Sequence, residues 1–264
     1  MTGAKRIGPK SLKDISPLIL EQLNEGQIES VNLTEWLAVD HEQLIRSVLP
    51  IAYHDACLTE IGELKSKSAM QMIKIIGQTL FVETKKQKDK QLFDKLKDHT
   101  SDSVRCWAAY IVGSDNTMSL DTKLQEIKPF AADTHFGVRE IAWMAVREDI
   151  TNNLNEAIIT LAGWAMDEDP NIRRFVSESI RPNGVWCRQI QQLKETPQLA
   201  LPILEQLKTD NSRYVQDSVA NWLNDASKTQ PQFVIDTCEQ WSSNGLSSET
   251  KYIIKKALRT ISKK

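Results

Sequence analysis

A chain of 264 residues with 41% hydrophobic side chains is long enough to bury a large core, and no apolar run in it approaches the ~18 residues that span a bilayer. Its formal net charge of −2 gives no global signature of nucleic-acid binding, which would have to rest on a local basic face. Cys57, Cys106, Cys187 and Cys238 lie far apart with no Cys-x-x-Cys pair, so they read as buried apolar thiols in a reducing, cytoplasmic setting rather than as a zinc site or a disulfide framework.

In chain order, residues 1–10 read as a loose tail with no apolar stretch of secretory type after it, and 11–264 as one domain. From there apolar residues recur at three and four spacing. The pattern predicts helices over 11–24, 33–49, 51–65, 68–82, 86–97, 103–113 and 119–130, then over 136–148, 153–167, 171–181, 198–208, 212–226, 231–243 and 247–262. Asp133, Asp169 and Asp210 stand just before helices, where a carboxylate satisfies free backbone N–H groups, and Pro170 falls in a first turn. Arg181-Pro-Asn-Gly stops one helix, and 182–197 is the widest gap. The last helix carries a basic run, Lys251, Lys255, Lys256, Arg259, Lys263 and Lys264, which reads either as a local basic face of the kind nucleic acid needs or as a solvated face. No Gly-rich phosphate loop, metal-ligand cluster or Ser-His-Asp arrangement is visible in the sequence, so no metal and no cofactor are expected.

Four of the helices share a frame: Asp, a few residues, then an aliphatic residue opening an apolar run. Their first aliphatic residues are Val104, Val138, Ile172 and Val215, spaced by 34, 34 and 43 residues. A period in that range implies stacked helix pairs, so the predicted fold is all-α, a right-handed α-α superhelix of HEAT or armadillo type.

Counting from that aliphatic residue as zero, positions 0, 3, 4, 7 and 8 form a core stripe: Val138, Ile141, Ala142, Ala145, Val146, then Ile172, Phe175, Val176, Ser179, Ile180, then Val215, Ser218, Val219, Trp222, Leu223. Positions 2, 6 and 10 form another row, because four residues make roughly one turn. Glu140 at position 2, Glu178 at 6 and Asp225 at 10 put three carboxylates on this row in successive repeats. Position 9 carries Arg147, Arg181 and Asn224 beside them. Side-by-side stacking would let the acids converge; charged residues are also common on solvated faces. Trp222 sits at a core position and reads as packing, whereas Trp143 and Trp186 are candidates for stacking on a sugar or base.

Ile172-Arg-Arg-Phe-Val-Ser-Glu-Ser-Ile-Arg-Pro-Asn-Gly-Val-Trp186 resembles the RR-x-x-SE-x-x-RP-x-x-x-W segment of the AlkC branch of DNA alkylation repair proteins. Tyr214-Val-Gln-Asp-Ser-Val-Ala-Asn-Trp-Leu-Asn-Asp-Ala-Ser-Lys228 is similar to that branch's YV-x-x-SVAN-x-LND-x-x-K, and Leu33 to Pro50 to its N-terminal helix. The resemblance implies a helical solenoid cradling duplex DNA and excising cationic alkylated bases of the 3-methyladenine class. It assigns catalysis to Glu178 and Asp225 and, on a less distinctive motif, to Glu140. Anions beside DNA are costly, so Arg147, Arg173, Arg174, Arg181 and Lys228 are expected to hold the phosphates, with Asn221, Asn224, Trp143 and Trp186 as further DNA-contact candidates. The Trp-x-x-x-Asp pair of the AlkD branch is absent: Trp107 is followed four residues on by Ile111, and Trp143 by Arg147. No C-terminal β domain follows the helices, as it does in some AlkC proteins.

The expected function is therefore a monomeric, cytoplasmic DNA glycosylase acting on alkylated duplex DNA, without membrane contact. A catalytically silent binder of bent or branched DNA would keep the arginines without an aimed carboxylate. A protein-interaction scaffold would show exposed apolar residues on the concave face and no convergent acids.

Overall fold

The computed structural model describes residues 6–184, 186–243 and 245–263. Among the described residues there is no strand. The helices are α1 (Pro17–Asn24), α2 (Leu33–Ala38), α3 (His41–Val48), α4 (His54–Gly62), α5 (Ala69–Gln87), α6 (Leu92–Lys97), α7 (Asp102–Ser114) and α8 (Leu120–Ala131). They continue as α9 (Phe136–Asn152), α10 (Leu154–Trp164), α11 (Pro170–Ser179), α12 (Gln191–Glu195), α13 (Leu201–Leu207), α14 (Arg213–Ala226), α15 (Pro231–Ser243) and α16 (Ser248–Ala257). Among the described residues no helix is long and apolar enough to cross a membrane.

The chain divides into two compact units. The first takes the residues up to Met118 together with Asp133–Ala145; α5 packs on α4 and α7, and α6 on α7. The second takes Ser119–Ala132 and everything from Val146 onward; α11 packs on α14, and α14 on α16. The three predicted core stripes are buried throughout, as period-3.6 amphipathicity requires.

Local chemistry explains where the helices depart from the predicted ranges. The stretch 33–49 is broken because Val39 is extended and Asp40 caps a new helix, its carboxylate accepting from the N–H groups of Glu42 and Gln43. α5 runs on to Gln87 and ends at Lys88, which is left-handed with φ 57°. There Asp89 N donates back to Thr84 O, and the Asp89 carboxylate accepts from the N–H groups of Gln91 and Leu92 to start α6. The gap at 182–197 holds the short α12, which buries Ile190 and Leu193 in the core. Of the expected tail, residues 1–5 lie outside the described residues. Residues 6–10 are tied down, with Arg6 on Glu35 at 2.5 Å and on Glu29 O at 2.7 Å, and Asn32 Nδ2 on Pro9 O at 2.7 Å. In the C-terminal basic run, Lys264 and the side chain of Lys263 also lie outside the described residues.

The repeat frame works as a cap. Arg105 Nη1 donates to the carbonyls of His99 and Thr100, Arg139 Nη1 to those of Asp133 and Thr134, and Arg173 Nη1 to those of Asp167 and Glu168. In each repeat the arginine thus closes the carbonyls five and six residues upstream. In the fourth repeat Gln216 takes the position and donates to Asp210 O, again six residues upstream. The aspartates close the opposite groups: Asp133, Asp169 and Asp210 each accept the N–H two residues on, at 2.7–2.8 Å. Arg105 also forks onto Asp133 (2.8 and 3.1 Å) and Arg173 onto Asp210 (2.6 and 3.1 Å), joining neighbouring repeats by bidentate pairs.

Candidate functional site: two carboxylates on one arginine

α11 ends at Ser179, and its last carbonyls are held by side chains. Buried Arg147 donates to the carbonyls of Ser179 (2.9 Å), Arg181 (2.6 Å) and Arg188 (3.0 Å), and Trp222 Nε1 donates to Ile180 O at 2.9 Å. These bonds satisfy acceptors that a helix end leaves open, and they fix the segment that carries Glu178 and Arg181.

Glu178 is 4% exposed, and so is Asp225 on α14. Arg181 lies between them: Nη1 donates to Glu178 Oε1 at 2.7 Å, while Nε and Nη2 donate to Asp225 Oδ2 at 2.9 and 2.6 Å. Glu178 Oε2 accepts from Ser218 Oγ at 2.7 Å and lies 3.6 Å from Arg174 Nη2. Ser177 Oγ donates to Ser218 Oγ at 2.8 Å, and the Arg174 guanidinium stacks 4.4 Å from the Tyr214 ring centre. Asp225 Oδ1 accepts from Lys228 Nζ at 2.9 Å, and Lys228 is exposed.

Burial alone would push the Glu178 carboxyl up, but Arg174 and Arg181 together with the hydrogen bonds hold it below the usual carboxylate range. Burial likewise works against the Arg181 charge, and the two carboxylates reverse that and raise it. Glu178 is therefore an anion at neutral pH and no proton donor. A fixed anion of this kind suits stabilisation of a developing cation or acceptance of a proton from water.

The remaining sequence candidates fall elsewhere. Arg173, expected on phosphate, has its fork on Asp210 and its third donor on carbonyls. Arg147 is 3% exposed and capped onto the α11 terminus. Asn224 donates to Ala257 O and Thr260 Oγ1, securing the end of α16. Asn221 is half-buried and accepts from Arg259 at 2.9 Å. Trp186 is 57% exposed, with a left-handed backbone at φ 57° that costs a non-glycine residue about 1–2 kcal/mol. In the first unit, buried Trp143 donates from Nε1 to Glu140 Oε2 at 2.9 Å. Val185 lies outside the described residues.

Sequence reading missed Ser218, which orients Glu178. The available signal was a hydroxyl at position 3 of the apolar stripe, where the other repeats carry Ile141 and Phe175. It also missed a Ser-His-Asp grouping in the first unit, whose members are up to 105 residues apart. Ser30 Oγ lies 3.1 Å from His135 Nε2, and Asp102 Oδ2 lies 3.5 Å from His135 Nδ1. The grouping is no nucleophile. Ser30 donates its own proton to Asp102 at 2.9 Å, His135 Nδ1 accepts from Gly137 N, and Ser30 is 2% exposed. Among the described residues no group of three or more His, Cys, Asp or Glu is disposed to hold a metal ion.

No family model matches the chain. Over 140 residues it is 39% identical to the uncharacterized protein YhaZ of Bacillus subtilis (strain 168), a match that takes in 53% of this chain and 38% of that protein. Among solved structures it is similar to Pseudomonas fluorescens alkylpurine DNA glycosylase AlkC bound to DNA containing an abasic site analog. That likeness has a TM-score of 0.66 and 22% identity, over 97% of this chain and 66% of the other. It is similar also to smu.31 from Streptococcus mutans UA159 (TM-score 0.55, 23% identity, 72% and 96% covered) and to AlkD2 from Streptococcus mutans (0.53, 21%, 80% and 91%). The chain thus has the helical-repeat fold of the AlkC and AlkD structures, and it spans just under two thirds of the AlkC chain and well under half of YhaZ.

Proposed function

We propose that the chain is a DNA repair glycosylase that excises cationic N-alkylated bases of the 3-methyladenine class from duplex DNA. The observation that carries the reading is the buried Glu178–Arg181–Asp225 arrangement within a fold shared with a DNA-bound alkylpurine glycosylase. An alkylated purine of this kind is already cationic, so the C1′–N bond breaks with its electron pair going to a base that leaves neutral. Positive charge develops on the sugar, where fixed anions lower the barrier. Water then bonds to C1′ and gives its proton to a carboxylate, as in sugar hydrolysis. Asp225 suits that task, because its Oδ1 is covered by an exposed lysine. Glu140 enters the proposal on its register in the repeat.

The phosphate contacts are assigned to Lys228 and Arg174, with Asn221 and Trp186 beside them. The donors of Arg147, Arg173 and Asn224 are committed within the protein. A catalytically silent DNA binder is the second reading, favoured by the cations that already neutralise both acids. Incubation with N-methylated duplex DNA, with released bases separated and identified, decides between them. Release of 3-methyladenine supports the enzyme; salt-dependent DNA binding without release supports the silent binder.

A further inference from the structure

Resting on the reading above, we infer that Arg181 is a positioning residue: it joins Glu178 and Asp225 into one rigid anionic unit and is not a phosphate ligand. Three observations lead there. The Nε, Nη1 and Nη2 groups of its guanidinium are each directed at one of the two carboxylates, at 2.6–2.9 Å, so turning the group toward a phosphate would break a pair with a buried acid. The planar fork spans acids 47 positions apart in sequence, on α11 and α14, which a point-charge cation cannot do bidentately. The carbonyl of Arg181 itself is pinned by Arg147 at 2.6 Å, so the backbone beneath the fork does not drift.

The unit has an inner and an outer end. Both oxygens of Glu178 face protein groups, Arg181 on one side and Ser218 on the other. On Asp225, Oδ2 is given to Arg181, whereas Oδ1 meets only Lys228 among the described residues, and that lysine is exposed. Glu178 and Arg181 together form the bracket, and Asp225 Oδ1 is the oxygen presented outward. The contribution of Arg181 is then to rate and to the fixed placement of both acids, with little to DNA affinity.

The test uses the full chain with ¹³C-labelled carboxyl groups, titrated by NMR, in wild type, R181Q and R181K. Removing a cation in direct contact should raise the Glu178 midpoint by about 1–3 pH units in R181Q. R181K should keep it near the wild-type position. Single-turnover excision at saturating DNA should fall in both variants, because lysine restores the charge without the fork. Its acid limb should move upward only in R181Q. DNA affinity and its salt slope should stay at the wild-type values.

A folded R181Q whose Glu178 midpoint does not move overturns the inference. So does a loss of DNA affinity with a salt slope reduced by ~0.9, the signature of one lost phosphate contact. If R181Q does not fold, the Nε–H resonance of Arg181 in E178Q and D225N carries the same test. It should shift and exchange faster in D225N, and an unchanged signal there counts against the bracket. A wild-type protein that releases no base removes the glycosylase reading, while the titrations still decide what Arg181 does.

Discussion

Asp102 in the first unit and Glu178 in the second are buried to similar depth, 1% and 4% exposed, and yet their acidities move in opposite directions. Burial raises the Asp102 carboxyl, with His135 and the Ser30 hydrogen bonds opposing it incompletely. The Glu178 carboxyl carries the same kind of burial cost, but two arginines overcome it. Counter-charge, more than depth, decides whether a buried carboxylate stays ionised. The Asp102 grouping joins Ser30 to α7 and to the start of α9 through hydrogen bonds of Ser30 and His135, which makes it a clamp of the fold. The Glu178 grouping keeps its buried carboxylate charged, which is why the proposed chemistry is assigned to it.

The sharpest way to break this contrast is to neutralise the second group without changing its shape. E178Q and D225N should slow excision by ~10²–10³, or about 3–4 kcal/mol of barrier, while DNA affinity holds or rises, measured as single-turnover rate against a binding isotherm. Wild-type rates in both would leave the anions without a role.

Acid should act on the first unit before it reaches the Glu178 group. His41 is fully buried, neither ring nitrogen has a hydrogen-bond partner among the described residues, and burial lowers its pKa to about 4, with Asp40 opposing. The unfolded chain therefore binds a proton at pH 6.5 that the folded chain refuses until about 4. Stability from this group is complete above 6.5 and is lost as pH falls to 4, by about 3 kcal/mol in all at 1.36 kcal/mol per pH unit. Glu178, with its folded value below the usual carboxylate range, adds its own loss only below its unfolded value of 4.5. Urea melts from pH 7 to 4 should show the first loss, and H41L should flatten it. An H41L profile as steep as wild type removes His41 from the account.

Asp102→Ala strips acceptors from Ser30 N and Ser30 Oγ, so it should cost about 2–3 kcal/mol in thermal or urea unfolding. The Glu178 carboxyl should titrate as before in the folded variant; a moved midpoint would merge two groups that are argued to be separate. R173K gives up the fork on Asp210 and should cost about 1–2 kcal/mol of stability, with the salt dependence of DNA binding unchanged. K228Q is the mildest change. Being exposed, it should leave unfolding within about 0.5 kcal/mol of wild type and lower the DNA salt slope by ~0.9.

The helical repeat was legible because it is written in period: the stripes from Val138, Ile172 and Val215 are buried as their spacing requires. Asp133, Asp169 and Asp210 were legible as caps because an acid before a helix has one local use. The breaks were less legible. Asp40 inside an apolar pattern and Lys88 in a left-handed turn depend on single residues whose preference is weak until the chain around them packs. The approach of Glu178 to Asp225 was expected from register, but Arg181 between them was not. A guanidinium beside an acidic row reads equally well as a phosphate ligand, and only the direction of its fork separates the two.

The neutral Gln216 has a consequence for how the array stays in order. Arg105 and Arg173 each meet the aspartate that leads the next repeat. The helix packed beyond α14 is α16, and it is capped by Ser247, whose hydroxyl carries no charge. Gln216, 3% exposed, donates to Asp210 O without a charge, so this joint lacks the arginine–aspartate fork of the other two. Stacked repeats with identical joints can slip by one unit at little cost. Here a stack that set Arg173 against Ser247 in place of Asp210 would strand both members of a part-buried pair, a penalty of up to several kcal/mol, so the loss of the fork at Gln216 marks where that series of joints stops.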